Sequence, residues 1–394
     1  MFAVFPPFRK ALRRLTLPFA VLALAACEPI DFGGLAGGGP SIDASKPVTV
    51  ALLVPSGSEN ASDATLAQSL ENAARLAVAD LQGATIDLRV YSTAGNPQQA
   101  AAQAQQAVDD GARIILGPVY AEAANAAGVA VADEGINVLS FSNNATIAGG
   151  NVFILGQTFL NTASRLVDYA ASQGKRNIVV VHGSDVAGQI GLNAIQSAAA
   201  GSGAAIAGTV SYPLTQQGVV QAIPTIRDTV RTSGADALFL TAPSASALPL
   251  LTQLLPEAGV STADTQYIGL TRWDIPAQTL ALPGVQGGWF ATPDPNRSAA
   301  FSGRYQTAFG AAPHPIGGLA FDGIAAIGAL VSSGNSDALT AASLTQGAGF
   351  QGATGIFRFR ADGTNERGLA VATIVDQQVS VIASAPQSFG GAGF

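Results

Sequence analysis

Residues able to do covalent or metal chemistry are few in this chain and scattered. The two histidines, His182 and His314, stand far apart, and neither has metal-ligand spacing around it. Cys27 is the only cysteine, so no intramolecular disulfide can form. Ser172-Gln173-Gly174-Lys175 satisfies a Ser-x-x-Lys spacing, but the nucleophile of that chemistry opens a helix and is joined by Ser-Asp-Asn and Lys-Thr-Gly segments. Here the serine falls at a helix end before a strand, and the sequence contains no Lys-Thr-Gly. Lys175 reads instead as a cation at a helix C-terminus. The sequence also lacks Gly-x-Ser-x-Gly, a Walker A loop and a zinc motif. Asp109-Asp110 and Asp133-Glu134 read as solvated helix ends. The expectation is a protein that is not an enzyme and needs no cofactor.

What the sequence does supply is small polar residues placed directly after apolar runs. Ser56 and Ser58, Tyr120, Ser142 and Asn143, Ser184 and Asp185, and Ser244 all stand in this position. In open α/β sheets ligands sit beyond the carboxyl ends of the strands, so these eight are the candidate ligand-cleft residues. Helix N-termini behind them favour a carboxylate. The same residue types are preferred as helix N-caps and in turns, so each has a local role as its alternative. Arg272-Trp273-Asp274 occupies another strand end. An aromatic flanked by opposite charges is unusual for a core tryptophan and frequent at interface hot spots, so these three form the candidate partner surface.

The elements that must position these residues follow a strand–helix alternation. The run 48–54 is continuously apolar, as a strand buried on both faces requires. Leu66, Leu70, Ala73, Ala77 and Leu81 then recur at helical spacing. Strands are expected at 86–91, 113–116, 136–140 and 152–155. Asn96-Pro97-Gln98-Gln99 opens a helix between the first two of these, with Asn as cap and Pro at the first position, and 123–134 reads as another helix. The alternation restarts with helices at 159–172, 188–200, 219–232 and 245–258 and strands at 177–181, 205–211, 237–241 and 266–270. Such a pattern calls for parallel sheets, and two consecutive units of this size make two lobes. The C-terminal part reads as helices at 299–309 and 318–331, a hairpin-like pair at 355–359 and 369–375, and a further strand at 378–383.

The N-terminus carries a targeting segment. Arg9, Lys10, Arg13 and Arg14 precede an apolar run, 15–26, that is shorter than the roughly 20 residues needed to span a bilayer. Small residues lead into Cys27. Removing the segment takes away four positive charges and no acids, which moves the formal net charge from −7 to −11. That excludes a phosphate-neutralising basic surface, so no nucleic-acid partner is expected. Residues 27–46 are rich in Gly and read as a flexible linker reaching about 25 Å. Residues 387–394 read as a loose tail.

Leu24-Ala25-Ala26-Cys27 resembles the lipobox of bacterial lipoproteins, which implies acylation at Cys27 and a lipid-anchored periplasmic protein. Glu28, in place of an inner-membrane Asp, leans towards the outer membrane. The body resembles the type I periplasmic binding proteins, in particular the leucine-binding-protein family. Its markers are Ile115-Leu116-Gly117-Pro118-Val119-Tyr120, Asp133-Glu134-Gly135-Ile136-Asn137-Val138-Leu139-Ser140, and Gly355-Ile356-Phe357-Arg358-Phe359 with Ala361-Asp362-Gly363. The resemblance implies an α/β fold of two doubly wound parallel-sheet lobes joined by a three-strand hinge. Lobe one would comprise 47–157 plus 285–345, and lobe two 158–284 plus 346–386. Amino-acid binders of that family carry Ser or Thr where this chain has Ala121, and a Tyr where it has Ala187, which counts against capture of an amino acid. The segments 269–274, 287–295 and 356–368 resemble the lipoprotein activators of penicillin-binding proteins. The functional expectation is therefore an activator supporting peptidoglycan synthesis, with a penicillin-binding protein as partner. The alternative is a solute-binding lipoprotein serving an ABC permease, with a branched-chain amino acid or another small polar ligand.

Overall fold

The computed structural model describes residues 39–389; Cys27, the targeting segment and the first part of the linker lie outside them. In the first sheet, β1 (Val48–Val54) pairs with β2 (Ile86–Ser92) on one side and β3 (Ile114–Leu116) on the other. Then follow β4 (Val138–Ser140) and β5 (Val152–Ile154), all parallel, in the order β2-β1-β3-β4-β5. The unbroken apolar run of β1 is needed because both faces are covered. Val50, Leu52 and Val54 enter one core, and Ala51 and Leu53 the other. Helix α1 (Ala61–Asp80) lays Leu66, Leu70, Ala73 and Ala77 on the first face. Helices α2 (Pro97–Asp109) and α3 (Ala121–Ala130) cover the second through Ala104, Ala107 and Ala127. Asn96 caps α2 with Pro97 following, as its sequence requires.

The second lobe repeats the design. β6 (Asn177–Gly183), β7 (Ala205–Tyr212), β8 (Ala237–Leu240), β9 (Gln266–Gly269) and β10 (Trp289–Thr292) form its parallel part, in the order β7-β6-β8-β9-β10. Helices α4 (Phe159–Ser172) and α5 (Val186–Ser202) cover one face, and α6 (Gln216–Ser233) and α7 (Ala247–Glu257) the other. Returning to the first lobe, α8 (Pro295–Phe309), α9 (Gly318–Val331) and α10 (Ala341–Leu344) lead into a small antiparallel sheet of β11 (Phe350–Gln351), β12 (Ile356–Phe359) and β13 (Asn365–Arg367). β14 (Ala370–Val375) and β15 (Gln378–Ala383) then add two antiparallel strands to the second sheet beside β10.

Two sequence-based boundaries move. Residues 289–292 are a strand of the second sheet, so lobe one resumes after Thr292 rather than at 285. Phe350, Phe357 and Phe359 pack in the first-lobe core, so 346–367 belongs to lobe one. The hairpin partner of β12 is β13, not 369–375, because the chain crosses between lobes at Gly368. Both ends are also better anchored than their composition implies. Ile42, within the linker, is buried in the first core, and its N–H donates to the Ser336 carbonyl at 2.8 Å. In the tail, the Gln387 side chain donates to Asp294 Oδ2 at 2.9 Å, and Arg358 lies 4.6 Å above the Phe389 ring.

The three crossings, at 155–158, 293–294 and 368–369, surround a buried polar network. Arg367 on β13 pairs with Asp322 on α9 at 2.9 Å, with both side chains almost fully buried. Its Nε donates to the Leu155 carbonyl and its Nη1 to Thr354 Oγ1, each at 2.9 Å. Asp322 also accepts from the Ala353 N–H and the Thr354 hydroxyl. Asn365 donates to the carbonyls of Ile154 and Gly156, and Asn161 of α4 donates to the Asn365 carbonyl. Every charge taken from water here is met by several partners, which a buried ion pair requires.

Candidate functional site

The crossings orient the two sheets. The first crossing leaves the carboxyl end of β5, and the second leaves the carboxyl end of β10. Since β1–β5 run parallel to one another, and β6–β10 likewise, the carboxyl ends of both parallel sets face the junction. Each parallel set has the order in which the first and third strands flank the point where the winding reverses, and that point opens a crevice beyond the strand ends. In the first lobe the crevice lies between the ends of β1 and β3, where Ser56, Ser58 and Tyr120 stand. In the second it lies between β6 and β8, where Ser184, Asp185 and Ser244 stand.

At the first crevice a recess of about 470 Å³ is lined by Ser58, Asp63, Gly95, Tyr120, Ala121 and Glu122, among others. The Tyr120 hydroxyl donates to Asp63 Oδ1 at 2.6 Å, and this bond to a carboxylate pushes the phenol up to about 12. Gly95 is needed beneath the ring, since a Cβ there would come within 3.0 Å of Tyr120 Cε2. No lysine or arginine lines the recess, whereas two carboxylates do.

Most of the eight candidate cleft residues already bond within their loops or to a neighbouring one. Ser56 shares a 2.6 Å hydroxyl–hydroxyl hydrogen bond with Ser92. Ser58 Oγ accepts from the Asn60 N–H, and Ser142 Oγ from the Asn144 N–H, each at 3.1 Å. Asp185 caps α5 by accepting from the Gly188 N–H, and Ser244 donates to the Ile275 carbonyl. Asn143 and Ser184 are exposed. The accepting hydroxyls of Ser58 and Ser142 keep their own proton to donate. Within each lobe these residues gather at the junction; among the described residues no hydrogen bond or ion pair links one group to the other. Around the second crevice the rim also carries exposed apolar side chains, Val186, Ile190, Leu214 and Ile275.

The expectation of a carboxylate-binding helix end meets an obstacle. The N-termini of α1 and α5 are occupied by Asn60 and Asp185. That of α3 has no side-chain cap but carries Glu122 in its first turn, so negative charge already complements it.

The proposed partner surface is corrected by burial. Trp273 is fully buried, the largest such side chain in the protein, and packs in the second-lobe core. Gly269 and Gly288 make room for it, since a Cβ at either would fall 2.1 Å from its indole. The flanking charges do not signal exposure, because Arg272 and Asp274 pair with each other beside the ring (Nε to Oδ1, 2.8 Å). His182 is buried with Nδ1 2.9 Å from the neighbouring Gly183 carbonyl.

The sequence did not single out Asp63, Glu122, Asp322 or Asn365. Asp322 left a readable trace, as the one charge in the otherwise apolar helix α9. Asp63 left none, since an acid in a first helical turn reads as a partner for the helix dipole.

Residues 47–378 match the family model described as periplasmic binding protein. The chain belongs to the periplasmic binding protein family. Among solved structures, a Rhodospirillum rubrum protein assigned to a branched-chain amino acid ABC transporter superposes with a TM-score of 0.73 at 20% identity, covering 86% of this chain and 100% of that one. A branched-chain amino acid ABC transporter periplasmic ligand-binding protein from Burkholderia xenovorans LB400 gives 0.67 at 19%, covering 86% and 96%. A solute-binding protein from Rhodopseudomonas palustris BisB5, in complex with 3,4-dihydroxybenzoic acid, gives 0.57 at 16%, covering 86% and 98%. No curated protein matches the chain. At these identities the structures establish the fold alone: an α/β architecture of parallel-sheet lobes, that of the type I periplasmic binding proteins.

Proposed function

We propose that the chain is the solute receptor of an ATP-driven importer, capturing a small polar solute between its lobes. The observation that carries this reading is the pair of crevices at β1/β3 and β6/β8, both turned to the junction and both edged by small polar side chains. The charge lining the first crevice refines the solute class. Asp63 and Glu122, with no lysine or arginine lining the recess, match a solute rich in hydrogen-bond donors, neutral or cationic, such as a polyol or an amine. A free carboxylate would meet like charge there, in keeping with Ala121 and Ala187 where amino-acid binders carry polar groups. Acylation at Cys27 would keep the receptor at the membrane, with two or more acyl chains giving stable anchoring; transfer of Cys27→Ser protein from the detergent phase to the aqueous phase is the test of that anchor.

The activator reading loses its residue-level support with Trp273 buried and rests on the resemblance of segments 269–274, 287–295 and 356–368. Calorimetry against polyols, amines, branched-chain amino acids and aromatic acids tests the receptor reading. The expected result is micromolar binding of a donor-rich solute, about −8 kcal/mol, weakened tenfold or more by Glu122→Gln, with leucine, isoleucine and valine binding far more weakly. Capture of a penicillin-binding protein from solubilised envelopes, with no solute bound, would restore the activator.

A further inference from the structure

A second cavity, of about 550 Å³, lies beside the third crossing and away from the strand-end crevices. One wall is α4 of the second lobe, with Asn161, Ser164, Arg165 and Asp168. The other is the β12–β13 hairpin of the first lobe, with Arg358, Arg360 and Glu366. Arg367 also reaches it but is engaged by Asp322, Thr354 and the Leu155 carbonyl. Setting that pair aside leaves three guanidinium groups and two carboxylates, an excess of positive charge in a chain whose net charge is −7.

The existing pairing does not use the guanidiniums fully. Arg358 and Arg360 converge on a single carboxylate oxygen, Glu366 Oε2, through Nε and Nη2 of Arg358 at 2.9 and 2.7 Å and Nη2 of Arg360 at 3.0 Å. Arg358 is held in place by the Gly347 carbonyl and the Phe389 ring. Arg165 spends one N–H on the Ser384 carbonyl at 2.9 Å, while its buried Nε–H has no acceptor. Burial lowers its pKa, which marks an incompletely compensated cation. Guanidinium forks present parallel N–H groups suited to planar or tetrahedral oxyanions.

We propose that this cavity is a second ligand site, for a small oxyanion bearing a phosphate or carboxylate group, held by Arg165 on one lobe and by Arg358 and Arg360 on the other. Because the anion would touch both lobes beside the hinge, its binding is coupled to their relative arrangement and, through linkage, to solute affinity at the crevices.

Thermal unfolding of the full chain in inorganic phosphate, acetate or chloride at matched ionic strength is the first test. The site predicts a rise in midpoint with about 10 mM phosphate or acetate beyond that with chloride; phosphate alone assigns the site to phosphate groups, and acetate alone to carboxylates. Titration calorimetry with the responding ion then separates site from bulk effect. Arg360→Gln, on a half-exposed side chain outside both the core and the hinge network, should weaken binding about tenfold or more. Glu366→Gln, which removes the competing carboxylate, should tighten it several-fold. Arg304→Gln, on α8, should change nothing. Equal responses to all three ions, or undiminished binding by Arg360→Gln, would overturn the proposal. Should Arg165→Gln fail to fold, the Arg360 and Glu366 variants still decide it, through effects of opposite sign.

Discussion

The lobe junction and the strand-end crevices are both polar, yet they use polarity in opposite ways. At the junction Arg367 and Asp322, 45 residues apart, are buried and multiply bonded, and they fasten β13 to α9 and to the first crossing. At the end of β9, Arg272 and Asp274 are two residues apart, partly exposed, and bonded to each other. The serines after β1, β4 and β8 likewise bond within or between neighbouring loops. Polar groups that close long-range contacts hold the architecture. Those at the strand ends join neighbouring loops, stay nearer to water and shape a surface.

The sharpest way to break this contrast is Arg367→Ala, which strands the Asp322 carboxylate in the interior. A loss of about 3–5 kcal/mol is expected, read as a fall in urea midpoint; a loss below about 1 kcal/mol would put the junction in the same class as the strand ends. Arg272→Ala, by comparison, should cost about 1 kcal/mol or less, because its partner keeps access to water.

Trp273 is the exception at the strand ends, and Trp273→Ala sharpens the comparison by dividing core from rim within three residues. Aromatic truncation in a core costs about 3–5 kcal/mol. The lower end is expected here, since the indole N–H has no partner whose loss would add to the cost. A folded variant of unchanged midpoint would return Trp273 to the surface.

Acid should weaken the junction through Asp294. Burial would raise the Asp294 carboxyl, but hydrogen bonds from Gln387 and the N–H groups of Arg297 and Asn296 outweigh it and hold the group below its ordinary value. A depressed carboxyl contributes stability above its unfolded value of about 3.9, and that contribution is lost as pH falls through the lower folded value. Between about pH 5 and pH 3 the wild-type midpoint should therefore fall more than that of Asp294→Asn; parallel declines would exclude Asp294 as the cause.

The smallest effect is spectroscopic. Tyr120 should ionise at about 12 rather than near 10, because Asp63 stabilises the neutral phenol. The stabilising bond is thus present at neutral pH and lost only in strong alkali. Absorbance titration of Asp63→Asn should bring one tyrosine back towards 10, and an unchanged curve would separate the two side chains.

Much of this protein was legible in one dimension. Two doubly wound units, the apolar β1, and the Asn96-Pro97 helix start follow from periodicity and capping, because strand burial and helix initiation are local demands on residue type. The positions of Ser56, Ser58, Tyr120, Ser184, Asp185 and Ser244 beyond strand ends were legible for the same reason. What escaped depended on distance along the chain. The return of 346–367 to lobe one, the meeting of Arg367 with Asp322, and the cavity between Arg165 and Arg360 are made by residues tens to hundreds of positions apart. Trp273 shows the same limit in reverse: its charged neighbours advertise a surface, but Gly269 and Gly288 clear a space that buries the ring. The sequence by itself determined which segments would be strands, which helices, and where polar side chains would stand along them. Only the tertiary structure decided which of those side chains share a wall, because burial and charge pairing are properties of the packed chain and not of its neighbours in line.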